Sequence, residues 1–185
     1  MGRDKALLAW HGHSLLEAHI NLLQAESDLV IVVAGANADA LKPVVYGSAA
    51  YLAVNPQPEL GQFSSLRVGL QAVLNHGRDG AIIALVDRPP VSGDTLRALK
   101  TEFCDALGTG KWAVVPEAEG KHGHPILIAR EMIEVFLRAA PGSNARDIEH
   151  AHQERIRYVP VTDAAVATNW NTPEEYSKRL AELHS

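Results

Sequence analysis

Asp87 closes the apolar run at residues 80–86 and is followed at once by Arg88, Pro89 and Pro90. That setting holds a carboxylate on a stiff loop at the end of a buried strand. A hard cation such as Mg²⁺ takes one or two protein carboxylates and fills its shell with water and substrate phosphate oxygens. The same aspartate also suits a turn ahead of two prolines, and spacing alone leaves both readings open. Lys5, in Gly2-Arg3-Asp4-Lys5, offers a compact ammonium suited to a phosphate, or is an ordinary surface lysine. Asn169-Trp170-Asn171-Thr172 precedes a C-terminal helix pattern. An amide oxygen there can join a carboxylate on Mg²⁺, or asparagine serves the turn. Residues 61–67, Gly-Gln-Phe-Ser-Ser-Leu-Arg, open a further helix pattern. The backbone N–H groups and the hydroxyls of Ser64 and Ser65 suit an anion or a ribose, or simple N-capping.

The histidines argue less. His122-Gly123-His124 has no third ligand nearby, which is weak evidence for zinc. His150 and His152 fall on different faces of a helix pattern, and His11 and His13 flank a turn glycine. Cys104 is the single cysteine, so no disulfide can form within the chain. Its place in a helical pattern predicts a buried or half-buried structural thiol.

These residues stand in a chain of 185, which suits one domain over 1–185. Hydrophobic residues make up 46% and charged residues 21%, and the net charge is -5. An acidic balance argues against a nucleic-acid partner, which would call for a basic face. No apolar run reaches the roughly 18 residues of a membrane span, and the N-terminus has no apolar signal region. The expectation is a cytoplasmic protein with neither membrane nor nucleic acid as partner.

The elements that must hold the candidates alternate along the chain. Ser14 and Glu17 form a capping box, predicting a helix over 14–26. Residues 28–34 are a β-branched run of the kind buried on both faces of a parallel sheet. A short helix over 37–42, stopped by Pro43, and a strand over 51–54 follow. A helix over 62–76, a strand over 80–86 and a helix over 93–107 come next. Strands over 112–115 and 125–128 flank a polar loop at 117–124. Helices over 129–139 and 144–152, a strand over 156–161 and a helix from Pro173 complete the chain. Such alternation marks an α/β domain, whose ligands bind at the carboxyl ends of the strands.

Read in order, several segments resemble the MobA-like nucleotidyltransferases. Residues 1–8 resemble the tail of that family's L-A-[AG]-G-x-S-x-R-M-G-x-[DP]-K signature. Asn55-Pro56 with residues 61–67 resembles its N-P…G-x-x-x-S-L segment. Residues 85–89 resemble its G-D-Q-P, with Val86 and Arg88 in place of Gly and Gln. Gly123-His124-Pro125 resembles its G-[HN]-P turn, and Ala145-Arg146-Asp147 its A-R-D helix start. Residues 169–175 resemble its closing [DN]-[IVW]-[DN]-T-P-E-[DE].

The resemblance implies a three-layer α/β/α Rossmann-like fold with a mainly parallel sheet. It implies attack of an acceptor phosphate on the α-phosphorus of an NTP, with Mg²⁺ as cofactor and pyrophosphate leaving. Carried over, Lys5 is the catalytic cation and Asp87 the catalytic metal ligand, with Asn171 its partner on the metal. Gly2, Lys5, Asn55, Ser64 and Ser65 would bind the nucleotide, and Gly123, His124 and Pro125 the acceptor. Residues 61–67 and Gly123-His124-Pro125 look most like the cytidylyltransferase branch, with CTP and molybdopterin as substrates. The alternative acceptors are a sugar phosphate or methylerythritol phosphate. The alternative activity is non-catalytic binding of a nucleotide or of molybdenum cofactor on the same fold. The family's first strand and glycine-rich phosphate loop would precede Met1. The reading therefore expects an upstream extension, a sheet with unpaired central edges, and a chain that is weak or inactive as it stands. Arg88 is expected to compete with a metal for Asp87 or to bind a phosphate.

Overall fold

The structure, a computed structural model, describes residues 4–140 and 142–169. A 3-10 turn, Lys5–Leu7, leads into a hairpin of β1 (Ala9–Trp10) and β2 (His13–Ser14). Next come α1 (Leu15–Gln24), β3 (Ile31–Ala34), α2 (Ala38–Gly47), β4 (Tyr51–Val54), α3 (Gln62–Asn75), β5 (Gly80–Ile83) and α4 (Gly93–Leu107). The second half holds β6 (Ala113–Ala118), β7 (Lys121–His122), β8 (Ile126–Ala129), α5 (Arg130–Arg138), α6 (Ala145–Ala151) and β9 (Ile156–Pro160). A 3-10 turn, Ala164–Ala167, follows β9. The capping box forms at its N-cap: Ser14 Oγ accepts the Glu17 N–H at 3.1 Å.

The α/β class and its three layers hold. Val114 and Leu127 pack against Leu99 and Ala106 of α4. Their strand neighbours Ala113, Val115, Ile126 and Ile128 turn to the other face, against Leu70 of α3 and Met132, Ile133 and Phe136 of α5. This is the two-residue alternation of a strand covered on both sides. α1 and α2 lie on the α4 side, packed against Val30, Val32 and Ala34.

The sheet is more mixed than expected. β3 and β4 are parallel, as are β6 and β9. β8 runs antiparallel to both β5 and β6, and β7 antiparallel to β6. Short connections force this: β6, β7 and β8 follow one another with only two or three intervening residues, too few for a parallel crossover. The loop expected at 117–124 is thus largely strand and hairpin. Among the described residues β3 pairs only with β4 and β5 only with β8. The sheet is split in two, in keeping with the expected unpaired edges.

That split explains two further departures. The run at 28–34 was expected to be buried on both faces, yet Ile31, Val32 and Val33 are half-buried, because among the described residues one edge of β3 has no strand beside it. β5 ends at Ile83 rather than residue 86, since residues 84–86 have no ladder partner among the described residues. α2 runs through Pro43 instead of stopping before it. Pro43 gives up one backbone bond, but Leu41 and the fully buried Val45 anchor the helix on either side of it. Cys104 is exposed, not buried. The inward face of α4 takes Leu96, Leu99, Phe103 and Ala106, and Cys104 stands about 100° round from Phe103. The helix expected from Pro173 lies outside the described residues.

α3 joins the two sheets by packing on both β3 and β5. Gly69 is the point of closest approach: a Cβ there would stand 2.8 Å from Val33 Cγ2. A valine on a strand is stiff at χ1 and cannot swing away. Gly69→Ala is therefore expected to lower stability by about 1–3 kcal/mol through overpacking, outweighing alanine's gain of about 1 kcal/mol in helix propensity. Urea unfolding measures it, and a stabilised variant would show that α3 stands off from β3.

Candidate functional site

The candidate residues gather at the carboxyl ends of β3, β4 and β5. Ala6, Ala34 and Val86 share one apolar cluster, although they come from three separate segments. That contact brings their neighbours Lys5, Gly35 and Asp87 to one end of the fold. Polar ties reinforce it. Asp4 caps its 3-10 turn by accepting the Ala6 N–H at 3.0 Å, and also accepts from Asn37 Nδ2. Asn37 Oδ1 in turn accepts the Gly35 N–H at 3.2 Å. Lys5 is thus anchored beside the loop that leaves β3. Gly35 lets the next loop close over it, since a Cβ there would stand 2.8 Å from Pro58 Cβ.

Asn55, Ser64 and Ser65 come together as the sequence suggests, with a division of labour it does not show. Asn55 is 3% exposed. Its Nδ2 donates to Ser64 Oγ at 2.8 Å and Ser65 Oγ at 3.0 Å, while its Oδ1 accepts the Gln57 N–H at 3.0 Å. Both amide hydrogens are spent, so Asn55 holds the 55–61 loop against the start of α3. Ser64 donates its hydroxyl hydrogen to the Gly61 carbonyl at 2.7 Å. Ser65 accepts from Asn55 and donates to no described residue, which leaves its hydrogen for a ligand. Arg67 spans to the Leu137 carbonyl at 2.9 Å and ties α3 to the end of α5.

Asp87 sits in a turn closed by the Arg88 N–H donating to the Leu85 carbonyl at 3.1 Å. Among the described residues its carboxylate accepts no hydrogen bond and makes no ion pair. Arg88 makes no ion pair with the neighbouring Asp87 carboxylate, although the two charges act on one another. Its guanidinium turns inward, and Nη1 donates to the Val166 carbonyl at 2.8 Å. The backbone N–H of His124 donates to the same oxygen at 3.1 Å. Gly123 presses on that peptide so closely that a Cβ would fall 1.9 Å from the Val166 oxygen, so no other residue fits there. Asp163 moors the same segment to α4, accepting from the Ser92 N–H at 2.8 Å and Thr95 Oγ1 at 2.9 Å.

His124 is therefore half-buried behind the Asp87 turn, facing His19 and Arg88 across a recess of about 270 Å³, part of it open to solvent. Pro125 lines the same recess. His19 lies on the buried face of α1. The structure shows its Nε2 against the Arg88 carbonyl at 3.0 Å. Burial holds the His19 pKa below its ordinary value. The ring is then neutral near pH 7, Nε2–H is the donor, and Nδ1 is a bare acceptor. His19 Nδ1, Arg88 Nε and His124 Nδ1 are all buried without a partner among the described residues. No sequence signal marked His19 or Val166 as part of this assembly. Asp163 was findable as a short polar cap after a strand. Gly2 and Asn171 lie outside the described residues, so their expected roles have no geometry here.

A metal centre built wholly from protein ligands is absent among the described residues: no group of three His, Cys, Asp or Glu converges. A lone carboxylate at a strand end instead fits a hard divalent cation that keeps most of its shell for water and phosphate. No helix among the described residues is long and apolar enough to cross a membrane.

An α/β sandwich of this kind is the fold of nucleotidyltransferases. The chain belongs to the MobA-like NTP transferase domain family, whose model matches residues 1–156. It is 28% identical over 188 residues to a molybdenum cofactor guanylyltransferase of Xanthomonas euvesicatoria, covering 98% of this chain and 88% of that one. The fold is similar to that of Rv0371c from Mycobacterium tuberculosis in complex with manganese, with a TM-score of 0.76 at 24% identity over 97% of this chain and 93% of that one. It is also similar to 4-diphosphocytidyl-2C-methyl-D-erythritol synthase from Anaerococcus prevotii, with a TM-score of 0.74 at 13% identity over 100% and 92%.

Burial, and then the Arg88 charge, lower the His124 pKa from its ordinary 6.5 to about 4. The unfolded chain then takes up this proton first as pH falls. Stability is therefore complete above pH 6.5, declines as pH drops towards 4, and levels below that. Burial of His19 acts in the same sense. Unfolding of wild type and His124→Gln between pH 4 and 7 is expected to show a shallower acid slope in the variant. Parallel slopes would place His124 in solvent.

Proposed function

We propose that this protein transfers a nucleotidyl group from an NTP to a phosphorylated acceptor of the molybdopterin class, with CMP as the group transferred and Mg²⁺ as the cation. The observation that carries the reading is the contact of Ala6, Ala34 and Val86, which brings the neighbouring Lys5 and Asp87 to the end of the fold where Asn55, after β4, holds Ser65 at the start of α3. Asp87 and Asn171 would hold the cation, which neutralises charge on the triphosphate and on the leaving pyrophosphate. Lys5 adds a second positive charge on the phosphates. Gly2 backbone and the Ser65 hydroxyl would orient the nucleotide, Asn55 and Ser64 would hold the loop that presents Ser65, and Gly123, His124 and Pro125 would border the acceptor. None of these groups needs to act as a covalent nucleophile, because positioning and charge neutralisation supply most of the rate in such transfers. The manganese found with the Mycobacterium tuberculosis protein supports a divalent cation.

One observation favours a second reading: the curated relative is a guanylyltransferase, which makes GMP the rival to CMP. Residues 61–67 and the Gly123-His124-Pro125 turn support CMP.

Pyrophosphate release with Mg²⁺, molybdopterin and each NTP in turn decides the base and the acceptor. Release with CTP is expected to fall about 100-fold or more in Asp87→Ala, since a lost cation contact costs several kcal/mol. Release with GTP alone would establish the guanylyl reading, and no release with any NTP would leave the binding-protein alternative. The two serines should separate in the same assay. Ser65→Ala is expected to raise the KM for the NTP several-fold and to cost about 1 kcal/mol of stability, because it removes the acceptor of one buried Asn55 amide hydrogen. Ser64→Ala is expected to cost about 1 kcal/mol of stability through its lost bond to the Gly61 carbonyl. Equal effects on KM would give both hydroxyls the same role.

A further inference from the structure

The turn that carries Asp87 is held at its last residue by three polar groups of that residue, its N–H, its carbonyl and Nη1 of its guanidinium. The Arg88 N–H closes the turn on Leu85 at 3.1 Å. The Arg88 carbonyl accepts from His19 Nε2 at 3.0 Å, which ties the turn to α1. The Arg88 guanidinium reaches the Val166 carbonyl at 2.8 Å, which ties it to the segment after β9. That segment is itself fixed from two other sides, by the His124 N–H on the same oxygen and by Asp163 on the start of α4. Pro89 and Pro90 then remove backbone freedom on the far side of the turn. Asp87 makes no hydrogen bond or ion pair through its side chain to any described residue, although its charge is felt by Arg88 and His19.

We propose that Arg88 is a positioning residue: by holding the Asp87 turn to the Val166 carbonyl, its guanidinium sets the geometry on which divalent-cation binding depends. This rests on the reading of Asp87 as the cation ligand. The anchored guanidinium keeps the carboxylate at a fixed place relative to the chain that continues from Val166 towards Asn169. Without it the turn keeps only its local closure and its tie to α1. A cation that draws few ligands from the protein is sensitive to such displacement, because a carboxylate out of place is replaced by water.

The opposite role for Arg88, an electrostatic competitor of the cation, predicts the opposite sign, so one measurement separates them. Mn²⁺ is titrated into the full chain, and free Mn²⁺ is read by electron paramagnetic resonance. Wild type is compared with Arg88→Met, which keeps the length of the arm without charge or donors, and with Arg88→Lys, which keeps charge and one donor. Arg88→Met is expected to raise the Mn²⁺ Kd about tenfold, a change of about 1.4 kcal/mol, and Arg88→Lys to restore affinity to within about threefold. Affinity for a fluorescent nucleotide without metal is expected to stay at the wild-type value, which a general loss of structure would not allow. An Mn²⁺ Kd in Arg88→Met that is unchanged or lower overturns the proposal. Should Arg88→Met fail to fold by circular dichroism, Arg88→Gln is judged by the same criterion. Asp87→Asn is the control for the underlying reading. If Mn²⁺ binding survives in Asp87→Asn, the cation assignment fails. If it is lost there but persists in Arg88→Met, only the positioning role fails.

Discussion

Apolar contact, rather than a continuous hydrogen-bond ladder, aligns the two sheets of this protein. β3 and β5 exchange no strand pairing among the described residues. Their relative placement comes from side chains: α3 packs across both on one face, and the cluster of Ala6, Ala34 and Val86 joins their carboxyl ends. A ladder fixes register residue by residue, whereas apolar packing is non-directional and fixes only proximity. Polar ties must therefore supply the remaining precision at the strand ends, and this is where they concentrate.

Those ties fall into two groups. Around β3 and β4, Asp4, Asn37 and Asn55 use their short side chains on neighbouring backbone and hydroxyl groups. Around β5, longer reaches do the work, from His19 on α1 to the Arg88 carbonyl and from Arg88 to Val166. In both groups these side chains are engaged within the protein through at least one atom, while Arg88 Nε and the Nδ1 atoms of His19 and His124 keep no partner among the described residues. Ser65 and Asp87 remain open. Side chains anchored before a ligand arrives do not have to be ordered at the moment of binding.

Much of the framework was legible because it rests on local rules. The Ser14–Glu17 capping box, the α4 apolar spacing of Leu96, Leu99 and Phe103, and the Gly61 entry into α3 each depend on residues within a few positions of one another. The reversals had non-local causes. Pro43 ought to stop a helix, but burial of Val45 carries α2 past it. Cys104 reads as structural until the width of the buried face of α4 is known. The β-branched run before Gly35 reads as fully buried until the partnerless edge of β3 is seen.

The sequence by itself determined the order of elements, the α/β class and the order of the family-like segments. Periodicity, capping and the ordered family-like segments are properties of neighbours along the chain. Only the tertiary structure decided which of the candidate residues are free and which are engaged. Asn55, Ser64 and Ser65 look equivalent in sequence, yet one amide with two hydrogens and one nearby carbonyl leave a single hydroxyl unspent. Asp87 and Arg88 are adjacent, yet one makes no hydrogen bond or ion pair through its side chain with a described residue and the other is drawn inward by a carbonyl 78 positions away. Hydrogen-bond valence is filled in space, by whichever groups packing brings within about 3 Å.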